Sequence, residues 1–171
     1  MKKTIMLTFT SILLLNCRDN KNISEQEKKQ IISELNNIKI LDQKYAGIPP
    51  ADLKEKYGPR KAWEIFMKQR DSVALLNQGK IKSLYQKYGY LGYKQVGEIA
   101  SGDFCIVIKH ADNDLEFQQH MLEALKKEIE KGNADKANYA MLEDRVNVNL
   151  NKPQRFGSQV IYNGDGQAIP K

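Results

Sequence analysis

The chain has 171 residues, 28% of them charged, 41% hydrophobic, and a formal net charge of +6. That length allows one domain with a real core. The basic surplus is small, and lysine and arginine are scattered among acids without a basic helix or interleaved aromatics, so nucleic acid is not expected as a partner.

The N-terminus reads as a targeting segment and is set aside from the fold. Lys2 and Lys3 form a basic start, Ile5 to Leu15 a short apolar run, and Leu14-Leu15-Asn16-Cys17 resembles the lipobox of bacterial lipoproteins. A membrane-spanning anchor needs about 20 apolar residues, more than this run supplies. Residues 1–16 are therefore expected to be a lipoprotein signal, Cys17 the lipidated first residue of the mature chain, and 17–23 a polar tether. The expected place is the bacterial cell envelope: anchored to the outer membrane through Cys17, facing the periplasm or the exterior. The mature chain keeps 155 residues and one other cysteine, Cys105, flanked by Phe104 and Ile106. An intramolecular disulfide is then impossible, and such neighbours suit a buried, inert thiol.

Residues 24–171 read as one mainly α domain: a bundle of about five helices with a small C-terminal β-hairpin or irregular arm. Ser24 and Glu27 make a capping box, opening a helix with Ile31, Leu35, Ile38 and Leu41 on one face. Gly47-Ile48-Pro49-Pro50 ends it, and Asp52 to Tyr57 suits a short helical turn. Arg60 to Tyr88 reads as one long helix with Trp63, Phe66, Val73, Leu84 and Tyr88 near one face. Arg70 and Asn77 interrupt that stripe, so they either reach solvent or join a polar network. Tyr88-Gly89-Tyr90-Leu91-Gly92-Tyr93 is a glycine-punctuated aromatic turn, suited to packing or to lining a cleft.

Val96 to Ala111 carries both signals. Ile106-Val107-Ile108 favours a strand, but Val96, Ala100, Phe104, Val107 and Ala111 recur as on a buried helix, and helix is the reading taken, with Ser101-Gly102-Asp103 able to cap its last part. Asn113 with Glu116 suggests a second capping box, for a helix burying Leu115, Leu122, Leu125 and Ile129 and ending at Gly132. The next helix is expected from Ala134 to Val148, with Ala137, Met141, Leu142 and Val148 inward. Asn163-Gly164-Asp165-Gly166 between two apolar runs predicts a hairpin packed on the helices.

Several of these segments also form a pattern. Tyr88-Gly89-Tyr90, Val96-Gly97, His110-Ala111-Asp112, Phe117-Gln118, Tyr139-Ala140-x-Leu142-x-Asp144-Arg145 and Gln154-x-Phe156-Gly157-Ser158-Gln159 resemble, in order and spacing, the bacterial family named domain of unknown function 6624. The resemblance covers roughly Asp42 to Gln159 and implies a mostly helical single domain, in some members behind a lipoprotein signal. It brings no established activity. Leu91 stands where proline is usual, Lys109 where glutamine often precedes the histidine, and Phe156 and Ser158 where tyrosine and threonine are common.

The chemistry-bearing residues gather after the apolar run Phe104 to Ile108, which must be buried and so delivers His110 to the edge of the core. His110, Asp112 and Asp144 are the catalytic candidates, His110 as a base and an aspartate orienting it. His110, Asp112 and Asp114 are the metal-ligand candidates, a string short of a full ligand set. No cofactor is expected, with a divalent metal as the alternative. Arg145 suits an anionic ligand or an internal ion pair, and Tyr90, Gln154 and Gln159 are ligand-binding candidates. His110, Asp112, Asp144, Arg145 and Gln154 are expected to converge on one cleft beside the Tyr88–Tyr93 turn; a buried polar network is the competing arrangement. His120 belongs to a polar, solvated face. Two functions follow: an envelope lipoprotein that binds a small anionic ligand or an envelope protein, or a hydrolase or metal-dependent enzyme built on His110.

Overall fold

The structure, a computed structural model, describes residues 23–162 and 167–171, with Tyr162 described by its backbone. The signal, Cys17 and most of the tether lie outside the described residues, as does the hairpin tip at 163–166. The described chain is mainly helical: α1 (Glu25–Lys44), α2 (Ala51–Tyr57), α3 (Pro59–Tyr88), α4 (Tyr93–Lys109), α5 (Leu115–Glu130) and α6 (Lys136–Asn149), then strands β1 (Val160–Tyr162) and β2 (Ala168–Pro170). Among these residues no helix is long and apolar enough to cross a membrane.

α1 opens at the Ser24–Glu27 capping box, in which each residue satisfies the other's backbone N–H. It lies chiefly against α4 and buries Ile31, Leu35 and Ile38. The next buried position is Asp42 rather than Leu41, because the stripe continues one helical turn beyond Ile38. α2, the short turn of the sequence reading, folds back on α3.

α3 is a single 30-residue helix that works in two parts. Its C-terminal part buries Asn77, Gln78, Ile81, Leu84 and Tyr88, and its beginning buries Ala62 and Phe66. No residue from Met67 to Leu76 is buried. Trp63, expected inward, is exposed and meets Phe66 edge-on. Asn77 donates to the Ile38 carbonyl at 3.2 Å, so one of the two stripe-breaking residues does join a buried polar contact, while Arg70 reaches solvent.

The Tyr88–Tyr93 turn runs into the core. Leu91 is fully buried, and Gly92 packs so tightly that a Cβ there would lie 2.3 Å from the Asn133 backbone oxygen. Asn133 clasps this corner: its carbonyl accepts from Tyr93 N–H and its Oδ1 from Lys94 N–H, while its Nδ2 donates to Gln95 and Glu128. α4 is helical through the β-branched run, with Phe104, Cys105, Val107 and Ile108 at the centre of the core. Its interruption comes at Gly97 (φ 81°), while Ser101 and Asp103 are buried inside the helix instead of capping it.

Three expectations are corrected in the second half. Asp114, not Asn113, caps α5, its carboxylate accepting from Phe117 N–H at 3.0 Å. The buried residues of α5 are Phe117, Gln118, Met121, Leu125 and Glu128, while Leu115, Leu122 and Ile129 are half-buried. In α6 the buried residues are Leu142, Asp144 and Val146, whereas Ala137 is exposed and Met141 and Val148 are half-buried. Finally, the antiparallel β1–β2 pair, with Ile161 opposite Ile169, leaves Val160, Ile161 and Ile169 exposed. It is tied on by polar contacts rather than packed on the helices.

Candidate functional site

Where the ends of α1 and α4 meet the unburied middle of α3, they enclose a cleft of about 510 Å³. Its lining includes Asp42 and Tyr45 from the end of α1, Arg70, Asp71, Val73 and Leu75 from α3, His110 and Asp112 after α4, and Arg145 from α6. The volume falls within the range of small-molecule sites.

The centre of the cleft is a pair that the sequence reading did not assemble. His110 Nδ1 lies 3.0 Å from both carboxylate oxygens of Asp42. The carboxylate side chain is 8% exposed and the imidazole 37%. Gln43 Nε2 donates to Asp42 as well, at 2.9 Å. In the neutral ring the contact selects the tautomer whose Nδ1–H donates to the carboxylate, which leaves the lone pair on Nε2. Among the described residues none bonds to Nε2. The available signal was the α1 stripe itself: Ile31, Leu35, Ile38 and residue 42 share a face, so an aspartate there had to be buried and partnered.

Asp112 does not orient His110. It is gripped by Arg145, whose Nε donates to Oδ1 at 2.7 Å and whose second guanidinium nitrogen donates to Oδ2, a two-pronged ion pair. Asn149 donates to Asp112 at 3.0 Å and Gln118 at 3.3 Å. Partial burial alone would raise the Asp112 acid, but the hydrogen bonds from Arg145 and Asn149 and the Arg145 charge outweigh it and hold the carboxyl below its usual range. The remaining Arg145 nitrogen donates to Gln159 Oε1 at 3.4 Å.

The other candidates are placed elsewhere. Asp144 is fully buried, and its carboxylate accepts three backbone N–H groups, from Arg155 (2.7 Å), Phe156 (2.9 Å) and Ser158 (2.7 Å). Burial pushes its acid up, but these donors outweigh that and bring it below the ordinary value. The loop closes on Asp144 because Gly157 takes φ 69°, a left-handed angle that a side chain resists. Gln154 donates to the Gln159 and Lys171 carbonyls and accepts from Gln159 N–H. It braces the C-terminal arm and does not line the cleft. Gln159 reaches Arg145 and the Met141 carbonyl from behind.

Tyr90, a ligand-binding candidate in the sequence, lies in the core: it is 5% exposed and edge-on to Phe104 at 5.3 Å. Burial, with Cys105 beside it, pushes its phenol well up. The aromatic turn is buried in this way because Leu91 and Gly92 draw it inward, so the cleft does not lie beside Tyr90. Asp114 faces away from His110, bound to Lys82 and, at 2.9 Å, to Gln78. The His110, Asp112, Asp114 string thus goes to three different partners. Among the described residues no group of three or more His, Cys, Asp or Glu could hold a metal ion. His120 is exposed, with Nε2 3.1 Å from the Tyr85 hydroxyl. Of the five residues expected to converge, His110, Asp112 and Arg145 line one cleft, while Asp144 and Gln154 hold the loop behind it.

The model of a family of unknown function, DUF6624, matches residues 56–168 of this chain. The chain belongs to that family. No curated protein and no solved structure matches it. The DUF6624 match takes in His110, Asp112 and Arg145 but begins after α1, so Asp42 joins the site from outside the matched segment.

Proposed function

We propose that this chain is a cell-envelope lipoprotein, carried on a lipidated Cys17, whose helical domain acts as a hydrolase through the Asp42–His110 pair. One observation carries the catalytic half: a buried carboxylate holds Nδ1 of a histidine whose ring opens on a cleft. A purely structural brace would gain by sealing both partners from water. Asp42 would fix the tautomer and stabilise the imidazolium, while Nε2 takes a proton from a water or a ligand hydroxyl. The described lining offers no serine, threonine or cysteine, so in this scheme the water deprotonated by Nε2 attacks, the bond to the leaving group breaks, and the imidazolium returns its proton to that group.

A second reading, binding without chemistry, is favoured by Asp112 and Arg145 already satisfying each other, which leaves no neutral acid beside the base. Turnover separates the two. Chromogenic carboxylic, phosphate and amide substrates are offered to the purified protein, and any activity is re-measured in Asp42→Asn and His110→Ala after checking their folds. The base predicts losses of about 10²–10⁴-fold; activity that survives His110→Ala sinks it.

The anchoring half rests on the lipobox-like Leu14 to Cys17 and the polar segment after it. Stable anchoring needs two acyl signals, which a diacylated cysteine supplies. Cys17→Ser should release the protein from membranes or leave its signal uncleaved. Unchanged partitioning with unchanged mass rules lipidation out.

A further inference from the structure

Charges lining the cleft divide into those already committed and those with capacity left. Asp42 is committed to His110 and Gln43, and Asp112 to Arg145, Asn149 and Gln118. Arg145 has spent its fork on Asp112 and its remaining nitrogen on Gln159. Arg70 is different. Among the described residues its one hydrogen bond or ion pair is with the carboxylate of its own neighbour Asp71, at 3.5 Å, the outer limit of a hydrogen bond, and its side chain is 47% exposed. A guanidinium carries five N–H donors, so nearly all of this one's capacity is open.

Arg70 also stands over an apolar wall. Residues 70, 73 and 74 share a helix face by their spacing, which sets the guanidinium one turn from Val73 and Ala74, with Leu75 at the same lining. Leu75 is exposed and Val73 and Ala74 are half-buried, so part of this apolar wall is open to a ligand.

We infer that the cleft takes a small ligand with an anionic head and a short apolar body, the head held by Arg70 rather than Arg145 and the body laid on Val73, Ala74 and Leu75. The inference rests on the cleft of the proposed function being the working site, but it does not need the histidine to act as a base. Planar, two-pronged recognition suits a carboxylate or a phosphate head equally.

Sodium hexanoate is the first probe, followed in NMR spectra by the Val73 and Leu75 methyl and His110 ring signals. A ligand of this size is expected to bind at millimolar strength. Arg70→Ala should weaken it by about tenfold or more, the worth of a charged hydrogen bond, and Arg70→Lys by less. Asp71→Asn, which removes the competing carboxylate, should tighten it. Arg70 is exposed, so these variants should fold, and circular dichroism verifies that they do. Hexyl phosphate and hexylammonium complete the set: the better of the two anions names the head group. The inference is overturned if hexanoate and hexyl phosphate both give no saturable shift up to about 100 mM, if Arg70→Ala binds as wild type does, or if hexylammonium takes the site in their place. Asp42→Asn distinguishes the two proposals, since it should keep hexanoate binding within about twofold while cutting turnover by about 10²–10⁴-fold. Binding without any turnover would refute the base and leave the Arg70 anchor standing.

Discussion

Asp144→Asn tests whether this aspartate is a structural clasp or part of a reaction. In the native chain one carboxylate oxygen accepts from Arg155 and Phe156 N–H and the other from Ser158 N–H. An asparagine oxygen can keep the first two, but as a neutral acceptor, at a cost of about 1 kcal/mol each. Its amide nitrogen then meets the Ser158 N–H donor to donor, losing that bond and stranding a donor for about 1–3 kcal/mol more. The expected total is about 3–5 kcal/mol. The loop can escape part of this by detaching while the helices stay folded, so two readouts are needed. Urea melts should show the global loss, and native-state hydrogen exchange should show Arg155, Phe156 and Ser158 amides losing protection first. Unchanged amide protection together with a stability change below about 1 kcal/mol would refute the clasp. A catalytic Asp144 would leave that opposite signature, stability kept and turnover lost.

The acid limb of stability follows from the same groups. Asp112 and Asp144 are held below their ordinary values, so they favour the fold above the unfolded carboxylate value of about 4, and this contribution is lost as pH falls through the folded values. Wild-type stability should therefore fall from about pH 4 downward, and Asp144→Asn should show a flatter acid limb; identical limbs would contradict the assignment. Gly92→Ala should cost about 3 kcal/mol, because the added Cβ meets a backbone oxygen that cannot rotate aside; a thermal midpoint equal to wild type would refute it. Cys105 is fully buried, and burial pushes its thiol up to about 11. It should resist a thiol reagent at pH 8 until urea unfolds the chain, and prompt labelling of the folded protein would count against this core.

Much of the helical frame was legible because local chemistry agreed with the tertiary result. Ser24 and Glu27 satisfy each other's backbone, and Phe104 to Ile108 carries helical periodicity that prevails over its β-branched preference once α1 covers it. Legibility failed where polar residues take inward positions. Asn113 and Asp114 can each cap a helix, and α5, capped by Asp114, keeps Leu125 inward but buries Gln118 and Glu128 where apolar residues were expected. In α6 only Leu142 of the expected inward residues is buried, and the inward positions include a charge, Asp144, whose partners lie in a later loop. The site was half legible for a related reason. His110, Asp112 and Arg145 stood out as polar groups at apolar boundaries, but the partner of His110 lies 68 residues earlier in the chain. Such pairings are made by packing α1 on α4, and no spacing within either helix encodes them.

That packing also decides what counts as a transferable piece of this protein. The matched segment begins at residue 56, yet Ile31, Leu35 and Ile38 of α1 lie in the same core as Phe104 and Ile108. Three buried aliphatic side chains contribute about 4.5–9 kcal/mol, comparable with the whole stability of an ordinary domain. A gene fragment cut at the family boundary would expose that face of α4 to solvent and to the proteases that clear unfolded chains. Fusions, truncations and exchanges between relatives would have to carry the preceding helix with them, and the aspartate beside His110 would travel on it.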